Sequence, residues 1–180
     1  DLNVSNDALP FMGYIESNLF SVPARIFRIS FSGELAYEVN VESNYGLFMW
    51  EKMMEIGQEF NNQPYGTEAL STLRIEMGHV AGPELDGRTI PQDVSLDGLV
   101  SKKKDFIGKN SLGKEAFTLE NRQKIVGLVP TDRKSSIPEG SHLVENEKAK
   151  LPNPKLGHVS SSCWSVENNN PFSLAIVNDG

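Results

Sequence analysis

Residues 35–41, LAYEVNV, constrain the fold more than any other stretch of the chain. Successive side chains of an extended strand point to opposite faces. Leu35, Tyr37, Val39 and Val41 therefore share one face, and Ala36, Glu38 and Asn40 the other. Such a strand must be covered on its apolar face. The preceding residues 24–31, ARIFRISF, are β-branched and aromatic and run into Ser32 and Gly33, a turn signal. Together the two segments predict an antiparallel hairpin with one face in a core. The other face presents Glu38 to water or to a cavity.

The remaining periodicities predict an α+β chain. Residues 1–10 are polar and end in proline, which reads as a lead-in to a short strand over 11–18. Val22 and Pro23 mark a turn or an edge position, because proline cannot donate to a ladder. Ser43 and Asn44 can cap a helix over 45–60, with Leu47, Trp50 and Met54 as its buried stripe. A second helix is expected over 67–77, with Leu70, Leu73 and Met77 on one side and Gly78 as its stop. Residues 82–91 read as a loop, 96–101 as a strand and 109–120 as a helix. Beyond Asn121 the texture changes to short strands at 124–130, 141–145, 156–164 and 172–177. The expected organisation is a β-hairpin and helix subdomain over 1–120 and an incomplete, small antiparallel β-barrel over 121–180.

Composition excludes several function classes. The net charge of −7 argues against a nucleic-acid partner, and the run Lys102 to Lys104 is too short to reverse that. No apolar run approaches the roughly 20 residues of a membrane helix, and the first residues lack the pattern of a signal peptide. The single cysteine, Cys163, cannot form an internal disulfide, so a cytoplasmic location is expected. The chain starts without methionine and stops just after an apolar run; both ends read as cut.

The residues themselves reveal no reaction. His79, His142 and His158 lie far apart in sequence without metal-ligand spacing. Cys163 reads as a structural thiol. No phosphate loop, dinucleotide fingerprint or nucleophile elbow occurs. The carboxylate pairs Glu34 with Glu38 and Glu84 with Asp86 read as solvated. Glu38 alone, on the second face of an otherwise apolar strand, could accept hydrogen bonds from adjacent N–H donors, such as a pterin or guanidinium edge. No catalytic residue and no metal ligand is assigned.

Several motifs, in order, resemble the folate-binding aminomethyltransferase family, whose type member is the glycine-cleavage T-protein. They are RISFSGELAYEV at 28–39, LRIEMG at 73–78, TIPQDVSL at 89–96, KDFIG at 104–108, VGL at 126–128 and GHVSS at 157–161. Within the family, DGRTIPQD, LVSKKKDFIGKNSL and GHVSSSCWS are similar to the C-terminal region of sarcosine oxidase alpha subunits. The resemblance implies a partial T-protein-like folate-binding fold, without its first subdomain and without a few tens of C-terminal residues. It implies a region that binds tetrahydrofolate and receives the one-carbon unit of oxidised sarcosine, giving 5,10-methylenetetrahydrofolate and glycine. FAD or FMN and NAD would belong to the full complex rather than to this region. The implied partners are the other oxidase subunits, the beta flavoprotein subunit in particular, and the isolated chain is expected to be inactive.

Carried over residue by residue, the family's pterin-contacting glutamate falls on Glu38. Leu70, Ala81 and Gly98 stand where the T-protein has an arginine, a tyrosine and a tryptophan. Arg74 and Glu76 are expected to brace neighbouring elements. The run Lys102 to Lys104 reads as a solvated strand end, or as a group steering an anionic polyglutamyl tail. Other readings stay open: a portion of a sarcosine or dimethylglycine dehydrogenase, an aminomethyltransferase, a folate-binding maturation protein, or a subunit-interface module without its own ligand.

Overall fold

The computed structural model describes residues 2–119, 121–148 and 150–178. Contacts divide the chain into two units, Asp1–Leu70 and Ser71–Gly180.

The first unit is built on a three-stranded antiparallel sheet in the order β1 (Tyr14–Leu19), β2 (Val22–Phe27), β3 (Glu38–Asn40). Phe20 and Ser21, both at positive φ (52° and 66°), form the two-residue turn between β1 and β2. That backbone matches the twist of the flanking strands. No glycine or asparagine announces it, so the turn is invisible in the sequence. Val22 and Pro23 accordingly open the central strand rather than form a turn. Pro23 is tolerated because β3 pairs only with Arg25, Ile26 and Phe27 and does not reach it.

The alternation over 35–41 holds. Tyr37, Val39 and Val41 pack on a core of Leu9, Ala24 and Ile26, while Glu38 is exposed on the opposite face. Leu35 precedes the strand and is 69% exposed. The polar lead-in turns out to be part of the core: Leu9 is 1% exposed. Arg28 Nη1 donates to the Leu9 carbonyl (3.0 Å) and the Tyr37 hydroxyl to that of Val4 (3.1 Å).

Helix α1 (Gly46–Gly57) is flanked by 3-10 turns and stopped by Asn61 in the left-handed region. Its buried side chain is Met49. Leu47 and Trp50, expected to be buried, are 71% and 56% exposed. The apolar face of the sheet is already filled by the lead-in, which leaves that stripe without a sheet to cover.

Helix α2 (Thr67–Met77) matches its expected span and ends at Gly78, whose φ of +75° permits the reversal in which the His79 amide donates to the Arg74 carbonyl. Its buried face differs from expectation: Arg74 and Ile75 are buried, and Met77 is exposed.

The second unit continues with two 3-10 turns, Pro91–Val94 and Asp97–Leu99. The expected strand over 96–101 is absent; Ser95 at φ 61° breaks the extended run just before it. The expected helix over 109–120 is two short helices, α3 (Lys109–Leu112) and α4 (Glu115–Thr118), interrupted at Gly113; Glu120 lies outside the described residues.

The C-terminal strands are β4 (Gln123–Leu128), β5 (His142–Val144), β6 (Lys155–Ser165) and β7 (Asn170–Asn178), antiparallel in the order β4-β7-β6-β5. A bulge between Val159 and Ser161 inserts Ser160 into β6. The extra residue reverses the pleat, so that Ser161, not Ser160, registers with Leu174. Ser161 thereby joins His158, Leu174 and Ile176 on one face.

Candidate functional site

Glu38 is held at the start of β3 by its register with Phe27 of β2. Directly opposed residues on an antiparallel pair have Cβ atoms about 5 Å apart on the same face. The Phe27 ring stacks on Tyr14 of β1, with centroids 5.5 Å apart and planes at 30°. Arg25 lies over the other part of this face, with its guanidinium 5.8 Å from the Tyr14 centroid and its Nη2 2.7 Å from Glu16 Oε1. Among the described residues Glu38 forms no side-chain hydrogen bond or ion pair. The arrangement is an exposed carboxylate acceptor beside an aromatic surface. A cleft of ≈ 640 Å³ in this unit is lined by Glu16, Arg25, Asn40 and Glu42, and Glu38 is not part of its wall.

The second unit holds a buried network that the sequence did not reveal. Arg74 of α2 donates through Nη1 to Glu84 Oε2 (2.9 Å) and through Nη2 to Ser161 Oγ of β6 (2.7 Å). Ser161 Oγ donates in turn to Glu84 Oε1 (2.6 Å), and the Ala81 amide to Glu84 Oε2 (2.9 Å). Burial alone would raise the Glu84 pKa. Hydrogen bonds from Ser161, the Ala81 amide and Ser160, with the charge of Arg74, more than offset that and hold it below its ordinary value. Glu84 was expected to form a solvated pair with Asp86. Instead Glu84 is 1% exposed, and Asp86 binds Arg88 at the surface. Only the bulge in β6 would have betrayed the network, and a bulge has no reliable sequence signal.

The other singled-out residues fall as follows. Arg74 braces α2 against β6, as expected. Glu76 is half-buried, with Oε1 enclosed and without a hydrogen-bond partner. Cys163 is half-buried; burial, and next the charge of Glu76, push its thiol pKa up, which suits a structural thiol. Leu70 is half-buried in α2. Ala81 contributes its amide to Glu84, and Gly98 sits in the Asp97–Leu99 turn. Lys102, Lys103 and Lys104 are exposed on a bend rather than a strand end, and Lys104 lines an apolar groove of ≈ 470 Å³ with Leu96, Leu99, Phe106 and Leu112. No group of three or more potential metal ligands occurs among the described residues. No described helix is long and apolar enough to cross a membrane.

Comparison with known proteins matches this architecture. The GCVT N-terminal domain family model matches residues 1–104. The chain is 43% identical to the sarcosine oxidase subunit alpha of Corynebacterium sp. strain P-1 over 99% of its own length and 19% of that protein. It is 39% identical to the sarcosine oxidase subunit alpha of Rhizobium meliloti strain 1021, over 100% of the chain and 18% of that protein. It is 27% identical to an aminomethyltransferase of Pseudothermotoga lettingae, over 95% of the chain and 45% of that protein. The chain thus spans about a fifth of the two oxidase subunits. The glycine cleavage system aminomethyltransferase T of Bartonella henselae superposes with a TM-score of 0.75 at 24% identity, over 97% of this chain and 46% of that one. The fold is α+β and partial T-protein-like.

Proposed function

The chain belongs to the GCVT N-terminal domain family, and from that premise we propose that it is the part of a sarcosine oxidase alpha subunit that binds tetrahydrofolate and receives the one-carbon unit of oxidised sarcosine. The observation that carries the reading is Glu38: a carboxylate without a hydrogen-bond partner among the described residues, beside the stacked Phe27 and Tyr14. These groups fit a pterin. The carboxylate accepts hydrogen bonds from an edge of adjacent N–H donors, and an aromatic ring offers a face to a flat heterocycle. Bound tetrahydrofolate supplies the nitrogen nucleophiles that accept the one-carbon unit. The chain's contribution is to orient the cofactor so that the unit is captured rather than lost to water.

Leu70, Ala81 and Gly98 supply none of the polar or aromatic groups found at the T-protein positions. These departures accord with an oxidase or dehydrogenase branch whose folate site is lined differently, or with altered folate binding. The gap between 43% and 27% identity supports the same branch. Flavin and NAD chemistry would reside in other parts of a cytoplasmic, heteromeric enzyme, with a beta flavoprotein subunit delivering the oxidised substrate.

The test is calorimetry of tetrahydrofolate binding to the full oxidase complex, wild type against Glu38→Ala. Loss of charge-assisted hydrogen bonds of about 1.5–3 kcal/mol corresponds to a roughly 10- to 100-fold weaker Kd. Sarcosine oxidation itself should continue, with the carbon released as formaldehyde. An unchanged Kd would refute the role of Glu38.

A further inference from the structure

The second unit contains a polar cleft of ≈ 410 Å³ that the folate reading does not use. It lies on the sheet face that carries His158 and Ile176. His142 of β5 and His158 of β6 are register partners, directly opposite each other. The two histidines, distant in sequence, are thus neighbours in the fold. Lys155 from the start of β6 and Arg88 from the loop before Pro91–Val94 add two permanent positive charges to the same cleft. Gln123 of β4 and Asn178 of β7 add amide donors, and among the described residues no acidic side chain lines the wall.

The cationic groups are positioned, with Arg88 ion-paired to Asp86. Among the described residues Lys155, His142 and His158 form no side-chain hydrogen bond. The loop is fixed from behind: Arg122, ion-paired with the buried Asp93, donates from Nη2 to the Arg88 carbonyl (3.1 Å). Asp86 takes the Nε and Nη2 hydrogens of Arg88 (2.9 and 2.5 Å). That contact orients the guanidinium, and among the described residues Nη1 has no hydrogen-bond acceptor. Gly140 and Gly157 contribute only backbone to the wall, which keeps the cleft open.

We propose that this cleft binds a small dianion of the phosphate or sulfate class, gripped by Arg88, Lys155 and the His142–His158 pair. The site is separate in sequence and in unit from Glu38 and does not depend on the folate reading. A convergent set of Arg, Lys and imidazole donors, with no carboxylate among the described residues of the wall, is the chemistry that holds an oxyanion. The cavity exceeds a bare oxyanion, so the natural ligand carries an organic body of modest size.

The geometry makes the histidine pair the part of the grip that a pH series can probe, with tighter binding expected at the acidic end. Arg88, its guanidinium pKa raised first by the hydrogen bond to the Asp86 side chain, stays charged throughout. Asp86, its carboxyl pulled down to about 2 chiefly by hydrogen bonds from the Arg88 side chain, does not titrate there either.

Inorganic sulfate is the probe, because it stays a dianion throughout, so any pH effect belongs to the protein. Equilibrium dialysis of the full chain at constant ionic strength should give saturable, single-site binding, about tenfold tighter near pH 5.5 than near pH 8. Lys155→Gln should weaken it about fivefold or more at both pH values, and Lys52→Gln, in the other unit, should leave it unchanged. His142→Gln with His158→Gln should remove the pH dependence while leaving the residual binding of Arg88 and Lys155. Far-UV circular dichroism checks folding; if the double variant fails to fold, His142→Gln alone, on the exposed edge strand, should still flatten the pH profile. Absence of saturable binding, or a pH dependence that survives loss of the histidines, overturns the proposal.

Discussion

Glu84 shows how far a side chain's surroundings outweigh its sequence context. Its neighbours Pro83, Leu85 and Asp86 belong to a loop and suggest solvent, yet three hydrogen bonds, one of them from Arg74, hold it in the interior. A buried ion pair contributes little relative to an apolar replacement, but breaking one side is costly because the other charge stays uncompensated. Arg74→Met should therefore lower stability by about 3–5 kcal/mol, read from the urea midpoint and slope. Adding Glu84→Gln to it should recover much of that loss. The pH dependence has a definite sign. The folded pKa of Glu84 lies below the ordinary value of 4.5, so its contribution is fully present above that value. It is lost as pH falls through the folded pKa, because the unfolded chain takes up the proton first. The stability difference between wild type and Glu84→Gln should accordingly shrink from about pH 6 to about pH 3; a constant difference would show that the charge plays no part. Glu38, by contrast, was legible from seven residues, because strand alternation depends only on local geometry. Ser161 was not, because its orientation depends on one inserted residue in β6.

At the level of elements, the strands and helices with strong local patterns were readable and those set by packing were not. The helix over Thr67–Met77 and the four C-terminal strands lie close to where periodicity and turn residues place them. The misread stretch over 96–101 has strand-like side chains but a left-handed Ser95 beside it. The stripe of α1 failed for a different reason: the lead-in, with no regular pattern of its own, takes the place beneath the sheet. Gly157 shows a packing constraint that sequence also hides. A Cβ there would lie 2.1 Å from the Ile176 carbonyl oxygen and 2.8 Å from the Val177 Cα, both backbone atoms of the paired strand. Gly157→Ala must push β6 away from β7, at a cost of about 1–3 kcal/mol. The urea midpoint should fall accordingly. A variant of undiminished stability would mean that the strands separate here without strain.

At the scale of the whole chain, the exposed apolar residues are its most consequential feature. Leu47 and Trp50 of α1 are 71% and 56% exposed, and Leu99 and Ile107 of the second unit are 80% and 106% exposed. Large exposed apolar side chains mark surfaces that other protein covers, or that aggregate when left bare. The net charge of −7 opposes association at low salt but is screened as salt rises. The purified chain should therefore self-associate with increasing concentration in sedimentation velocity, more strongly at about 0.5 M than at about 0.05 M salt. Replacing Leu47 and Trp50 by lysine should shift the distribution toward monomer, whereas the same change at the polar surface position Glu51 should not. Catalysis is a separate matter. In the proposed reading the flavin that oxidises sarcosine belongs to a partner subunit. The same purified chain, given sarcosine and tetrahydrofolate, should consume no oxygen and release no formaldehyde. Turnover by the chain alone would place the oxidation within these 180 residues, and the division of labour proposed above, with the chain as acceptor site for a unit oxidised elsewhere, would have to be abandoned.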